Sequence, residues 1–165
     1  MKHLEALLGI FFLINTFQPM IIFAQEDQNF YTEELQRALD SRSNDENKIS
    51  TTLFSQIFHY QKSIAEGNTV QSSMDYLSPE LSFIDDQNRI LILIRFNASS
   101  STANIEQTKI TISNSDGEIK SIGYGHNKLY EIYCWMPVDK IINLISNQGV
   151  EFLELIPKPV FRISK

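Results

Sequence analysis

The run Arg89-Ile90-Leu91-Ile92-Leu93-Ile94-Arg95-Phe96 constrains this chain more than any other segment. Eight residues rich in branched apolar side chains lie between two polar, turn-forming clusters, Asp85-Asp86-Gln87-Asn88 and Asn97-Ala98-Ser99-Ser100, so the run predicts a strand. Side chains alternate across a strand. Ile90, Ile92, Ile94 and Phe96 therefore point one way, and Arg89, Leu91, Leu93 and Arg95 the other. The first set is wholly apolar and must be covered by helices. The second is apolar at its centre and charged at its ends. Such a strand belongs in the middle of a sheet.

The residues around it supply partners. Tyr31, Leu35, Ala38 and Leu39 fall at helical spacing, with Thr32 placed to cap and Glu33-Glu34 in the first turn. Ile49, Leu53, Ile57, Tyr60 and Ile64 recur every three or four residues, Phe54 and Phe58 widen that stripe, and Glu66-Gly67-Asn68 ends it. A stripe so wide must pack against the following domain or against another protein. Residues 69–79 read as linker. Residues 99–115 fit two templates: Ile105, Lys109 and Ile112 suit a short helix, whereas Ile110-Thr111-Ile112 suits a strand. After the turn signal Asp116-Gly117, residues 118–123 read as a strand and Gly125-His126-Asn127 as the next turn. Residues 128–136 form an aromatic-rich strand. Pro137 opens a helix whose buried face is Ile141, Ile142, Leu144 and Ile145, with Asp139 near the positive end of its dipole. Gly149 closes that helix, and residues 150–156 form a last strand stopped by Pro157 and Pro159.

The N-terminus has the layout of a secretory signal peptide. Lys2 and His3 precede an apolar run from Ala6 to Ile14, and Ala24 stands at a cleavage position before Gln25. An uncleaved membrane anchor fits worse, because Asn15, Thr16, Gln18 and Pro19 interrupt a stretch that would need about 20 apolar residues to span a bilayer. Cleavage removes one base, Lys2, and one acid, Glu5, so the net charge stays at −6. An acidic chain is poorly suited to gripping a nucleic-acid backbone, and no nucleic-acid partner is expected. Cys134 is the only cysteine, which excludes an intramolecular disulfide; an exported domain without one is compatible with a secreted, periplasmic or cell-surface protein of bacterial kind. The expected division is a signal peptide at 1–24, a helical extension and linker at 26–75, an α+β domain at 80–159 and an extended tail at 160–165.

The order β-(α)-β-β-α-β is that of the ferredoxin-like split βαβ arrangement, an antiparallel sheet with helices on one face. The stretch from Gly123 through Trp135-Met136-Pro137-Val138 to Gly149-Val150-Glu151-Phe152-Leu153 resembles the small propeptide domain that precedes subtilisin-type serine proteases. The resemblance covers about 70 residues, in keeping with a small single-core domain. It departs from the family around residues 99–115, where a clear helix is usual. Here the sequence runs on to Lys165 with no protease after the domain, so the resemblance implies a partner acting in trans.

Catalytic chemistry is not evident. His59 and His126 lie in no metal-ligand spacing, and Gly-x-Ser-x-Gly and phosphate-cradling loops are missing. Cys134, between Tyr133 and Trp135 in a strand, reads as a small buried thiol. Glu80, Asp85 and Asp86 lack the alternating ladder of a calcium loop. No cofactor is expected. Alternation instead gathers Leu91, Leu93, Tyr133, Trp135 and Phe152 on the sheet face away from the helices, ringed by Arg and Glu like an interface core with a polar rim. Residues 31–66 folding over this face is the competing possibility. In subtilisin propeptides the open face packs on the protease and the following chain lies in its cleft. The resemblance therefore implies docking by Tyr133, Trp135 and Phe152 and a cleft-seeking tail that includes Pro159 and Phe161. The expected function is a non-catalytic inhibitor or folding helper of a subtilisin-type protease. The alternatives are a bacterial surface or periplasmic interaction module sharing only the fold, and a fragment of a longer protease.

Overall fold

The computed structural model describes residues 33–77, 82–125 and 129–156. The expected signal segment, His126 and the tail with Pro159 and Phe161 lie outside them. Two compact units divide at Ser41/Arg42. In the first, residues 33–40 form helix α1, with an exposed Arg37–Glu33 ion pair at 3.3 Å.

The second unit begins with a 3-10 turn at Glu46–Lys48, followed by α2 (Thr51–Ala65) and the short α3 (Val70–Met74). Ser50 starts α2 by accepting the Leu53 N–H on its side chain, as N-cap serines do. Its own N–H donates to the Leu153 carbonyl at 2.8 Å, beside a parallel bridge between Ile49 and Leu153. That bond fastens the start of α2 to the sheet edge. Leu53, Ile57 and Tyr60, at helical spacing, enter the same core cluster as the strand residues. The wide stripe on α2 is thus satisfied within the chain. Val70–Met74 is helical where a linker is expected, because Thr69 caps it through the Ser72 N–H and Met74 is buried.

Strand β1 (Arg89–Phe96) has the predicted bounds. It is followed by α4 (Thr102–Asn114), β2 (Glu118–Tyr124), β3 (Tyr130–Pro137), a 3-10 helix at Val138–Leu144 and β4 (Val150–Leu155). The sheet order is β2-β3-β1-β4, antiparallel throughout. The chain is an α+β protein with the split βαβ strand order. Ile90, Ile92, Ile94 and Phe96 have no exposed surface and meet Ile132, Cys134, Met136, Leu153 and Leu155 from the neighbouring strands. Helices α2 and α4 and the 3-10 helix close this inner face.

Two helices resolve or correct the sequence expectation. The ambiguous segment 99–115 is helical because Ser101 caps it and Ile105, Thr108 and Ile112 share one inward face. Thr108 and Thr111 donate their hydroxyls to the carbonyls of Asn104 and Gln107 one turn back, so both hydroxyls are satisfied within the helix. After Pro137 the chain forms a 3-10 helix where an α-helix is expected. Val138, Ile141 and Leu144 recur at intervals of three, and a 3-10 turn stacks i and i+3 on one face, so all three are buried.

Candidate functional site

The outer face of the sheet is laid out by the register. Across β1 and β3, Arg95 opposes Glu131, Leu93 opposes Tyr133, Leu91 opposes Trp135 and Arg89 opposes Pro137. Across β1 and β4, Arg95 opposes Phe152 and Leu93 opposes Glu154. The Ile156 N–H donates to the Leu91 carbonyl at 3.2 Å, which brings Ile156 to the same row as Leu91 and Trp135. On β2, Glu118 opposes Trp135 and Ser121 opposes Tyr133, with a bulge between. All five described site residues expected from sequence, Leu91, Leu93, Tyr133, Trp135 and Phe152, therefore fall within adjoining rows of one face.

Leu93 is 4% exposed yet lies outside the main core cluster. It is the centre of a second, smaller apolar patch, with Leu91, Tyr133, Trp135 and Phe152 half-buried around it. The buried residues of α2, α3, α4 and the 3-10 helix belong to the main cluster on the other face.

Charges frame the patch at both ends. At one, the Arg89 guanidinium, 9% exposed, donates to Asp85 at 2.8 Å, to Glu118 at 2.9 Å and to the Asp116 carbonyl at 3.2 Å. Burial pushes the Asp85 carboxyl up. Three donors, the Arg89 and Gln87 N–H groups and the Arg89 guanidinium, outweigh it and hold the pKa below the usual carboxylate value. At the other end Arg95 donates to Glu131 at 3.1 Å and pairs with Glu154 at 3.0 Å, so one cation serves two carboxylates. The Glu131 carboxylate sits against Gly125, where a Cβ would collide with it. The Tyr133 hydroxyl donates to Glu131 at 3.4 Å, and burial together with that carboxylate raises its pKa.

Alternation in the sequence already places Glu131 and Glu154 outward on this face, whereas sequence reasoning did not name Asp85 or Ile156 as part of the frame. Asp85 reaches the face from a loop, and only the fold reveals it.

Other places offer less. Cys134 has no exposed surface, and burial pushes its thiol up to about 12. Two clefts, of about 370 and 390 Å³, are lined respectively by Gln71, Asp75 and Asn88 and by Asn97, Ser100 and Tyr130, among others. Among the described residues no group of three His, Cys, Asp or Glu could hold a metal ion, and no helix is long and apolar enough to cross a membrane.

No family model matches the sequence, and no curated protein or solved structure matches it. Function is therefore argued from the site itself.

Proposed function

We propose that this chain is a non-catalytic binding protein that docks a protein partner on its outer sheet face, with Tyr133, Trp135 and Phe152 as anchors. The observation that carries the reading is Leu93, buried to core level on the face away from the main core and ringed by aromatic side chains and paired charges. Aromatic anchors surrounded by a polar frame are the anatomy of an interface centre. The narrower identity of the partner, a subtilisin-type serine protease held in trans, rests on the resemblance of residues 123–153 to that family's propeptides.

The test is inhibition and direct binding of secreted subtilisin-type proteases by the chain beginning at Gln25. Trp135→Ala and Tyr133→Ala should each weaken binding about 30-fold, the equivalent of 2 kcal/mol at an aromatic anchor. If the intact protein neither inhibits nor binds any of them, the protease reading fails. Affinity capture from the host's secreted fraction then decides between another protein partner on the same face and none.

A further inference from the structure

The outer face uses Tyr133, Trp135 and Phe152, but Tyr124 has no part in it. Its side chain is 76% exposed, more than any other large apolar side chain among the described residues, and yet it is held in place. Tyr124 pairs across the ladder with Tyr130, and the two rings meet edge to face at 5.5 Å and 90°. Tyr130 in turn meets Phe96 edge to face at 5.8 Å, and Phe96 has no exposed surface. Three rings thus run in contact from the core to solvent, on the helix-covered side of the sheet. Phe96 and Tyr130 belong to the packing of the main core. Folding gives no reason for the third ring, because so exposed a side chain adds little to stability.

Tyr124 and Tyr130 wall a cleft of about 390 Å³, within the range of small-molecule sites, roughly 300–1,000 Å³. The loop from β1 to α4 forms the other wall and brings Asn97, Ser100 and Thr102 to it. The Asn97 carboxamide is fixed there. Its Oδ1 accepts from the Ser99 N–H at 3.1 Å and from the Ser99 and Ser100 hydroxyls at 2.9 Å each. With the oxygen so used, the Nδ2 amide group is what Asn97 can offer a ligand. Ser100 also donates to the Gly149 carbonyl at 2.9 Å, which ties the loop to the chain just before β4. None of the described residues lining the cleft is charged. Lys109, which interacts with Tyr130, is already paired with Glu106 at 2.7 Å.

A rigid aromatic wall, an amide donor and uncharged hydroxyls match a neutral sugar. One side of a pyranose ring presents C–H groups that stack on the negative face of an aromatic ring. Its edge presents hydroxyls that both donate and accept, as do those of Thr102 and Tyr124. A proline-rich peptide would also stack on tyrosines, but its prolyl backbone offers acceptors alone. We infer that this cleft binds a neutral sugar residue of an oligosaccharide, stacked on Tyr124 and hydrogen-bonded by Asn97 and Thr102. The cleft lies across the sheet from Tyr133 and Trp135, so sugar binding here does not depend on protein docking there.

The experiment titrates the isotope-labelled chain beginning at Gln25 with cellotriose, chitotriose and maltotriose and follows backbone amide shifts by NMR. At least one trimer should shift Asn97, Thr102 and Tyr124 together, with a Kd of about 1 mM, as one stacked ring and a few hydrogen bonds allow. Tyr124→Ala, at an exposed position, should keep the thermal midpoint and lose about 10-fold or more in affinity, and Thr102→Val should lose about 3-fold. No shift from any trimer at about 10 mM, shifts that map outside the cleft, or undiminished binding by Tyr124→Ala would each overturn the inference. A hexaproline peptide is titrated in parallel. Cleft shifts from it alone reject the sugar and reassign the site to extended peptides.

Discussion

Replacing Ile57 by Ala tests whether α2 is part of the domain or an appendage to it. Ile57 is 3% exposed and sits in the core cluster with Leu53, Tyr60 and the inner residues of the sheet. The change removes three buried carbons. At about 0.8 kcal/mol per methylene the transfer loss is about 2.4 kcal/mol, and the residual cavity brings the total to ~3 kcal/mol. With a urea slope of about 1.5 kcal/mol per molar, the unfolding midpoint should fall by ~2 M in a single transition. Ile64→Ala, about two helical turns further on and 38% exposed, is the control and should shift stability by less than about 0.5 kcal/mol. Urea unfolding followed by circular dichroism measures both. If Ile57→Ala behaves like Ile64→Ala, or unfolds in two separate steps, α2 is not held by the sheet and the core described above is wrong.

Three further outcomes are expected. Gly117→Ala should destabilise by about 1–3 kcal/mol, because its new Cβ would meet the Met136 sulfur, and the Ile112 carbonyl, at 2.9 Å, is backbone that cannot rotate away; a thermal midpoint equal to wild type would contradict this. Asp85 has a lowered pKa in the folded state, so its contribution to stability is present above its ordinary value of 3.8 and disappears as pH falls through the folded one. The stability gap between wild type and Asp85→Asn should thus be full at neutral pH and shrink in acid below about pH 4, and a gap unchanged in strong acid would show that the carboxylate charge is irrelevant. Cys134 should react with thiol reagents only on unfolding, at a rate that rises with denaturant; fast native-state labelling would mean the β3 core opens locally.

Much of the fold was legible because alternation and helical spacing report burial directly. Arg89–Phe96 shows a strand by composition and two faces by parity, and both are found as expected. The stripe on α2 announces a buried helix without saying what buries it; the Ser50–Leu153 hydrogen bond, the Ile49–Leu153 bridge and the shared core show that it is β4 and the sheet. Residues 102–114 resist reading because Ile110-Thr111-Ile112 favours a strand locally, and the helix wins through its Ser101 cap and the inward set of Ile105, Thr108 and Ile112. The helix after Pro137 carries apolar residues that satisfy an α-helical pattern equally well. The decisive spacing of Val138, Ile141 and Leu144 is visible in sequence but becomes meaningful only when all three prove buried. The five described face residues were legible from parity alone. The pairing of their flanking charges was not, because register sets which Glu meets which Arg.

The composition of the outer face is hard to explain by folding stability. Cross-strand pairs such as Leu91–Trp135 and Leu93–Tyr133 contribute roughly 0.2–1 kcal/mol each, and partly exposed ion pairs such as Arg95–Glu154 contribute about 0–1 kcal/mol. The inner face, with α2, α4 and the 3-10 helix closing over it, already supplies the main core. A sheet needing only a solvated outer face would gain from polar residues at the half-buried positions 91, 133, 135 and 152, which also guard against association. Instead the largest side chain of the chain, Trp135, stands there beside Tyr133, and Arg89 and Arg95 are held by carboxylates at either end. Fixed charges around an apolar centre add little to adhesion but penalise any cover that leaves them unpaired, and that penalty is a source of specificity. A face so composed favours one particular cover over many.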